Sequence, residues 1–135
     1  MEESNTVDKT LDEIYTQMIE NVELPTMIRL EEEYIMNYYG IDLSTVEEYV
    51  FASAEDILLA ENIILIKMKD GENKEDIVTL LENMVEQKKS EFESYLPEQA
   101  KVVEKSEVIS KGNYIILLIS SQKDMLEEQL PKALK

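Results

Sequence analysis

The chain has 135 residues, 30 acidic and 13 basic, for a formal net charge of −17, and it contains no cysteine and no histidine. The two zero counts exclude disulfides, thiol chemistry, Ser-His and Cys-His nucleophile pairs and tetrahedral zinc sites built from Cys and His. A polyanion repels nucleic acid and anionic membrane surfaces, so direct binding to either is disfavoured. The acidity is uneven: residues 1–60 hold 15 acids and 2 bases, whereas residues 61–135 hold 15 acids and 11 bases. With 44% hydrophobic residues, the chain has the means for one folded core. No apolar run is long enough to span a bilayer.

Residues 1–9 are polar and unpatterned and read as a flexible lead-in, leaving 10–135 as a single domain. Thr10 and Glu13 have the spacing of a capping box. Leu11, Ile14, Tyr15, Met18, Ile19 and Val22 then recur at helical spacing, which predicts a helix over 10–22 that closes before Pro25. Residues 26–30 look extended. A second helix is predicted over 31–39, with Glu31, Glu32 and Glu33 in its first turn and Gly40 as its C-terminal cap. "VEEYVFASA" at 46–54 and "NIILIKMK" at 62–69 are strands by β-branched and aromatic content. Asp70-Gly71 marks a turn and Asn73 a cap. A long helix over 74–96 follows, with Leu81 and Met84 expected in its buried stripe. "DGENKED" lacks the order of ligands in a calcium loop and reads as turn plus cap.

The chain breaks at Leu96-Pro97. Two further strands are predicted over 101–110 and 113–120, joined at Gly112-Asn113, where glycine in first place points to a type II′ turn. A last helix over 122–134 should stop or kink near Leu130, before Pro131. The predicted fold is therefore α+β, a four-stranded antiparallel sheet of two hairpins with four helices packed on it. Its order is helix-helix-strand-strand-helix-strand-strand-helix.

The turn sets the register. Lys111 pairs with Tyr114, and one face carries Ser106, Val108 and Ser110 with Ile115, Leu117 and Ile119. The other carries Lys105, Glu107, Ile109 and Lys111 with Tyr114, Ile116 and Leu118. Charges mark the second face as the wetter, so the first is expected to pack on the helices. Yet Ile109, Ile116 and Leu118, joined by Ile63 and Leu65, are too apolar to be left wet, so something should cover them. The first helix is the plain candidate; a partner or a second copy of the chain is the functional one.

Three stretches, "YYGIDLSTVEEYV" at 38–50, "QKKSEFESYLPEQAKVVEKSEV" at 87–108 and "KGNYIILLIS" at 111–120, resemble domain-of-unknown-function family 4358. The resemblance spans 10–134. It implies an address rather than an activity: exported proteins and lipoproteins of Gram-positive Firmicutes, led by a signal peptide that often ends in a lipid-modified cysteine. Neither feature lies within these residues, so the expected link to the membrane is a lipid anchor outside this chain, on the outer face of the cell membrane. The polar lead-in would suit a tether.

The expectation is an uncharacterised, acidic extracytoplasmic domain that serves as a non-catalytic binding module. Its partner would be a protein or small ligand of the cell envelope, or a second copy in a homodimer. Two alternatives stay open: an enzyme using carboxylates, and an acidic decoy for a basic protein. No motif implies a cofactor or metal, and no catalytic residue is assigned. Tyr95, Glu98 and Gln99, around Pro97, form the most distinctive polar group, although loop hydrogen bonding between helix and strand is the favoured reading of them. Ile116 and Leu118 are the candidate binding residues on the hairpin. The seven tyrosines, Tyr15, Tyr34, Tyr38, Tyr39, Tyr49, Tyr95 and Tyr114, could suggest a sugar or peptide platform, but most read as core-edge residues whose hydroxyls reach water.

Overall fold

The computed structural model describes residues 7–135, so most of the lead-in read over 1–9 lies outside the described residues. Helix α1 (Leu11–Asn21) starts at the expected capping box. Glu13 N–H donates to Thr10 Oγ1 at 3.1 Å, and Thr10 N–H donates to Glu13 Oε1 at 2.9 Å. Strand β1 (Met27–Arg29) follows, then α2 (Glu32–Tyr34), which widens into a π-helix over Ile35–Tyr39. Gly40 ends it at φ 73°, a left-handed cap that suits a residue without Cβ. Strands β2 (Val46–Ala54) and β3 (Asn62–Met68) precede α3 (Glu75–Glu93), where Glu75 N–H donates to Asn73 Oδ1 at 2.9 Å. Helix α4 (Pro97–Glu104), strands β4 (Val108–Lys111) and β5 (Tyr114–Ile119), and helix α5 (Lys123–Glu128) complete the order. The last helix stops where Pro131 required, and a single 3₁₀ turn (Lys132–Leu134) lies beyond it.

The fold is α+β, but among the described residues the sheet has five strands in the order β1-β2-β3-β5-β4, all antiparallel, with five α-helices rather than four. This corrects the expected four-stranded, two-hairpin, four-helix arrangement in two places. The extended segment at 26–30 is a paired edge strand, with Met27 opposite Ala54 and Arg29 opposite Ala52. The strand expected over 101–110 is a helix as far as Glu104 and a strand only from Val108. Val102-Val103 favours a strand locally, but Pro97 sits in the first helical turn, where its missing N–H costs nothing. Ala100 and Val103, three apart, then bury one helical face.

The hairpin register is as counted from the turn: Lys111 faces Tyr114, Ile109 faces Ile116 and Val108 faces Leu117. Gly112 lies at φ 55°, and among the described residues no non-glycine residue, Asn113 included, has positive φ, which is the sign pattern of a type II′ turn.

Both sheet faces are covered. Ile64, Ile66, Ile115, Leu117 and Ile119 pack with Phe51 against the π-helix, α3 and α4. Ile63, Leu65, Ile116 and Leu118 pack with Val50 against α1, α5 and the last turn. Ile116 and Leu118 are 1% and 3% exposed. The face expected to be wetter is thus a second core layer, covered by the chain itself, with α1 over β2 and β3 and α5 over β5. Among the described residues no helix is long and apolar enough to cross a membrane.

In α3, Leu81 is 1% exposed. Leu81→Ala should lower stability by about 2–5 kcal/mol through lost burial and a residual cavity. Urea unfolding measures it, and a loss below about 1 kcal/mol, the scale of surface changes, would place Leu81 outside the core.

Candidate functional site

The site grows from one irregular turn. In an α-helix, residues four apart share a face and residues five apart do not. The π-helix over Ile35–Tyr39 closes i→i+5 bonds, so its wider turn brings Tyr34, Tyr38 and Tyr39 together. Tyr34 and Tyr38 stack with centroids 5.0 Å apart and planes 13° apart. Tyr39 stands edge-on to Tyr38 at 5.2 Å and leans on Phe51 of β2 at 5.5 Å. Ile35, fully buried, pins this turn to the sheet, whereas Tyr34 and Tyr38 remain 47% and 66% exposed.

A cleft of about 320 Å³ opens between the π-helix and α3. Tyr38, Tyr39, Ile41, Leu81 and Met84 give it aromatic and aliphatic walls, while Asn83, Gln87, Lys88 and Glu91 supply polar groups. Met84, expected in the core, is half-buried because it stands in this gap. Beyond the tyrosine stack a second, shallower depression is lined by Arg29, Leu30, Glu31, Glu33, Tyr34, Asn37 and Tyr38. Tyr38 is the partition between the two.

Burial dominates the electrostatics. It pushes the Tyr39 phenol up to about 12, with the neighbouring Tyr34 and Tyr38 adding to the shift. Tyr34 is raised by the same two causes, burial first and Tyr38 second. Burial also holds the Lys88 ammonium below the ordinary lysine value, opposed by Glu91, and its Nζ lies 5.8 Å from the Phe92 ring centroid. Among the described residues no group of three or more Asp or Glu side chains is placed to hold a metal ion. The arrangement can stack against a planar or cationic group and hydrogen-bond it from phenols and amides.

The residues singled out from the sequence do not converge here. Tyr95, at the end of α3, is 62% exposed, with its ring tilted on Phe92 at 6.0 Å. Glu98 lies on the rim of another cleft, between α4 and the start of α5, beside Lys101 and Lys105. Gln99 bonds structurally: its Oε1 accepts from Ala60 N–H at 2.8 Å and ties α4 to the β2–β3 connection. Ile116 and Leu118 are interior residues beneath α1 and α5 and present no surface to a ligand. Tyr38, Tyr39 and Lys88 carry the cleft instead. The Tyr-x-x-x-Tyr-Tyr spacing was visible, but an α-helical reading sends Tyr39 away from Tyr34.

The chain belongs to the family described as Domain of unknown function (DUF4358), whose model matches residues 20–120. No curated protein and no solved structure matches the chain. The matched span contains the π-turn, the sheet and α3, and so both walls of the cleft.

The Tyr39 shift has a definite sign. Its folded pKa lies above the unfolded value of 10.0, so the stability associated with the neutral phenol is present below pH 10.0 and is lost as pH rises toward about 12. Unfolding followed across that window should show falling stability in the wild type and a shallower fall in Tyr39→Phe. Equal slopes for the two proteins would show that Tyr39 is not buried as described.

Proposed function

We propose that this domain is a non-catalytic binding module of the cell envelope, extracytoplasmic and attached to the membrane through a lipid anchor outside these residues. In this reading the tyrosine turn and the adjoining cleft are its recognition surface. The observation that carries the reading is the exposed Tyr34–Tyr38 stack, 47% and 66% open, beside a half-open apolar cleft. Two stacked aromatic rings left in water beside an apolar cleft offer a partner a flat contact surface. The family resemblance to exported proteins of Gram-positive Firmicutes supports the address, and the acidic surface suits a domain held near, but not on, an anionic membrane.

Two measurements test this. Protease treatment of intact cells expressing the natural gene should degrade the domain; protection until lysis would end the extracytoplasmic reading. The chain has seven tyrosines and no tryptophan, so its intrinsic fluorescence comes from tyrosine, and Tyr34, Tyr38 and Tyr39 make this surface part of that signal. Addition of a cell-envelope fraction should change that emission in the wild type and much less in Tyr38→Ala. Because Tyr38 is 66% exposed, the variant should unfold within about 0.5 kcal/mol of the wild type. An identical response from both proteins would remove the tyrosine surface from the reading.

A further inference from the structure

The depression beyond the tyrosine stack runs up to the open edge of the sheet. In the β1–β2 ladder, Leu30 N–H donates to Phe51 O and Glu55 N–H donates to Thr26 O, both at 2.8 Å. Alternation along an antiparallel strand then aims the N–H and C=O groups of Met27 and Arg29 outward. Among the described residues no strand pairs with that side. Ile28 shares a sheet face with Leu30, which packs against the core layer of the π-helix, and it is 43% exposed. An unpaired strand edge, an exposed aliphatic side chain and a tyrosine stack therefore adjoin one another.

Charge selects what fits there. Glu31 and Glu33 line the depression and Glu32 lies beside them; among the described residues none of the three has an ion-pair partner. Arg29, which also lines the depression, is already engaged: its Nη2 lies 3.0 Å from Asp12 Oδ1, and its guanidinium sits over the Tyr15 ring at 5.4 Å. The sheet order places β1 and β2 together at this edge, so it inherits the half of the sequence with 15 acids and 2 bases. A second copy pairing edge to edge would bring these like charges together.

We infer that the β1 edge and the Tyr34–Tyr38 stack form a docking site for an extended basic segment of a partner protein. That segment adds as a sixth strand beside β1 and lays an arginine or lysine side chain on the tyrosines. Main-chain bonds to Met27 and Arg29 supply the pairing, the ring faces take the cation, and Glu31 and Glu33 attract it. The inference rests on the tyrosine surface being the recognition site and adds the partner's chemistry and its strand geometry.

The probe is a labelled peptide of alternating arginine and threonine, with a glutamate–threonine peptide as control. The basic peptide should bind with strong salt dependence, and the control should not bind. Amide signals of Met27 and Arg29 should shift and gain protection from exchange. The Tyr34→Ala/Tyr38→Ala double variant should lose at least about tenfold in affinity, whereas Tyr38→Phe, which keeps the ring face, should retain most of it. Met27→Pro, which removes an outward donor without touching a ladder bond, should also weaken binding. Thermal unfolding of each variant checks that the fold is kept. Binding that survives the double tyrosine variant, with shifts spread over the whole acidic surface, would overturn the inference as mere attraction to a polyanion. If the basic peptide fails to bind while the tyrosine variants still lose the envelope response, the inference falls and the recognition surface stands. If the peptide binds as described but no envelope fraction does, the site stands and the envelope reading falls.

Discussion

The pairing of β3 with β5 governs this molecule. The two strands run "NIILIKM" and "YIILLI" side by side, with Ile64 opposite Leu117 and Leu65 opposite Ile116. Neither strand alternates apolar with polar; both are apolar on successive residues, and so apolar on both faces of the pleat. Burying either face alone would leave a run of isoleucine and leucine in water. Each fully buried side chain of that size is worth about 1.5–3 kcal/mol, so one bare face would give up much of a domain's net stability. Two covering layers follow as a necessity. α1 and α5 serve one face, and the π-helix, α3 and α4 serve the other.

The two covers are unequal, and the site arises from that inequality. Over one face, α1 lies directly on β2 and β3, while α5 closes the neighbouring strand. The connection from β5 into α5 is fastened by Glu61, whose Oε2 accepts from Ser121 N–H at 3.2 Å. Over the other face, a long helix must share the sheet with a short turn between β1 and β2. The turn reaches the core through Ile35 and Tyr39, and its width leaves the gap that Leu81 and Met84 floor from the far side. A regular α-helical turn would place Tyr39 elsewhere and loosen the tyrosine cluster. The irregularity is thus tied to both packing and the exposed stack, the association in which π-helical turns are most often found.

What could be read from the sequence follows from which signals are local. The capping box, Gly40, the span of β2 and the register around Gly112 each depend on a few adjacent residues, and each appears in the structure. Strand β1 has only three residues and no alternation to display, so its partner on β2 decides its state. Val102-Val103 carries a strand preference that Pro97 and the buried Ala100–Val103 face override. The double cover was half legible: Ile116 and Leu118 were too apolar for a wet face, and their cover proved to come from the chain itself, which takes them out of any binding surface. The tyrosine site was the least legible part. All three rings could be named, yet their meeting depends on a π-turn for which the sequence carries no distinguishing pattern.

Strand order turns a property of the sequence into a property of the surface. Because the order is β1-β2-β3-β5-β4, the first half of the chain forms one side of the sheet and the second half the other. The acidic half therefore gathers around β1, the π-turn and β2. The lysines collect toward α3, α4 and β4, where Lys89 pairs with Glu104 at 3.8 Å. Had β1 been inserted beside β4, the charges would have mixed and the edge would carry no strong sign. As built, long-range attraction favours approach of a basic segment at the β1 edge and weakens as salt rises, while the rings and strand edge there act only at contact. In the docking inferred above the two ranges divide the work: the field would bring a partner in, and the tyrosine stack with Met27 and Arg29 would discriminate what arrives.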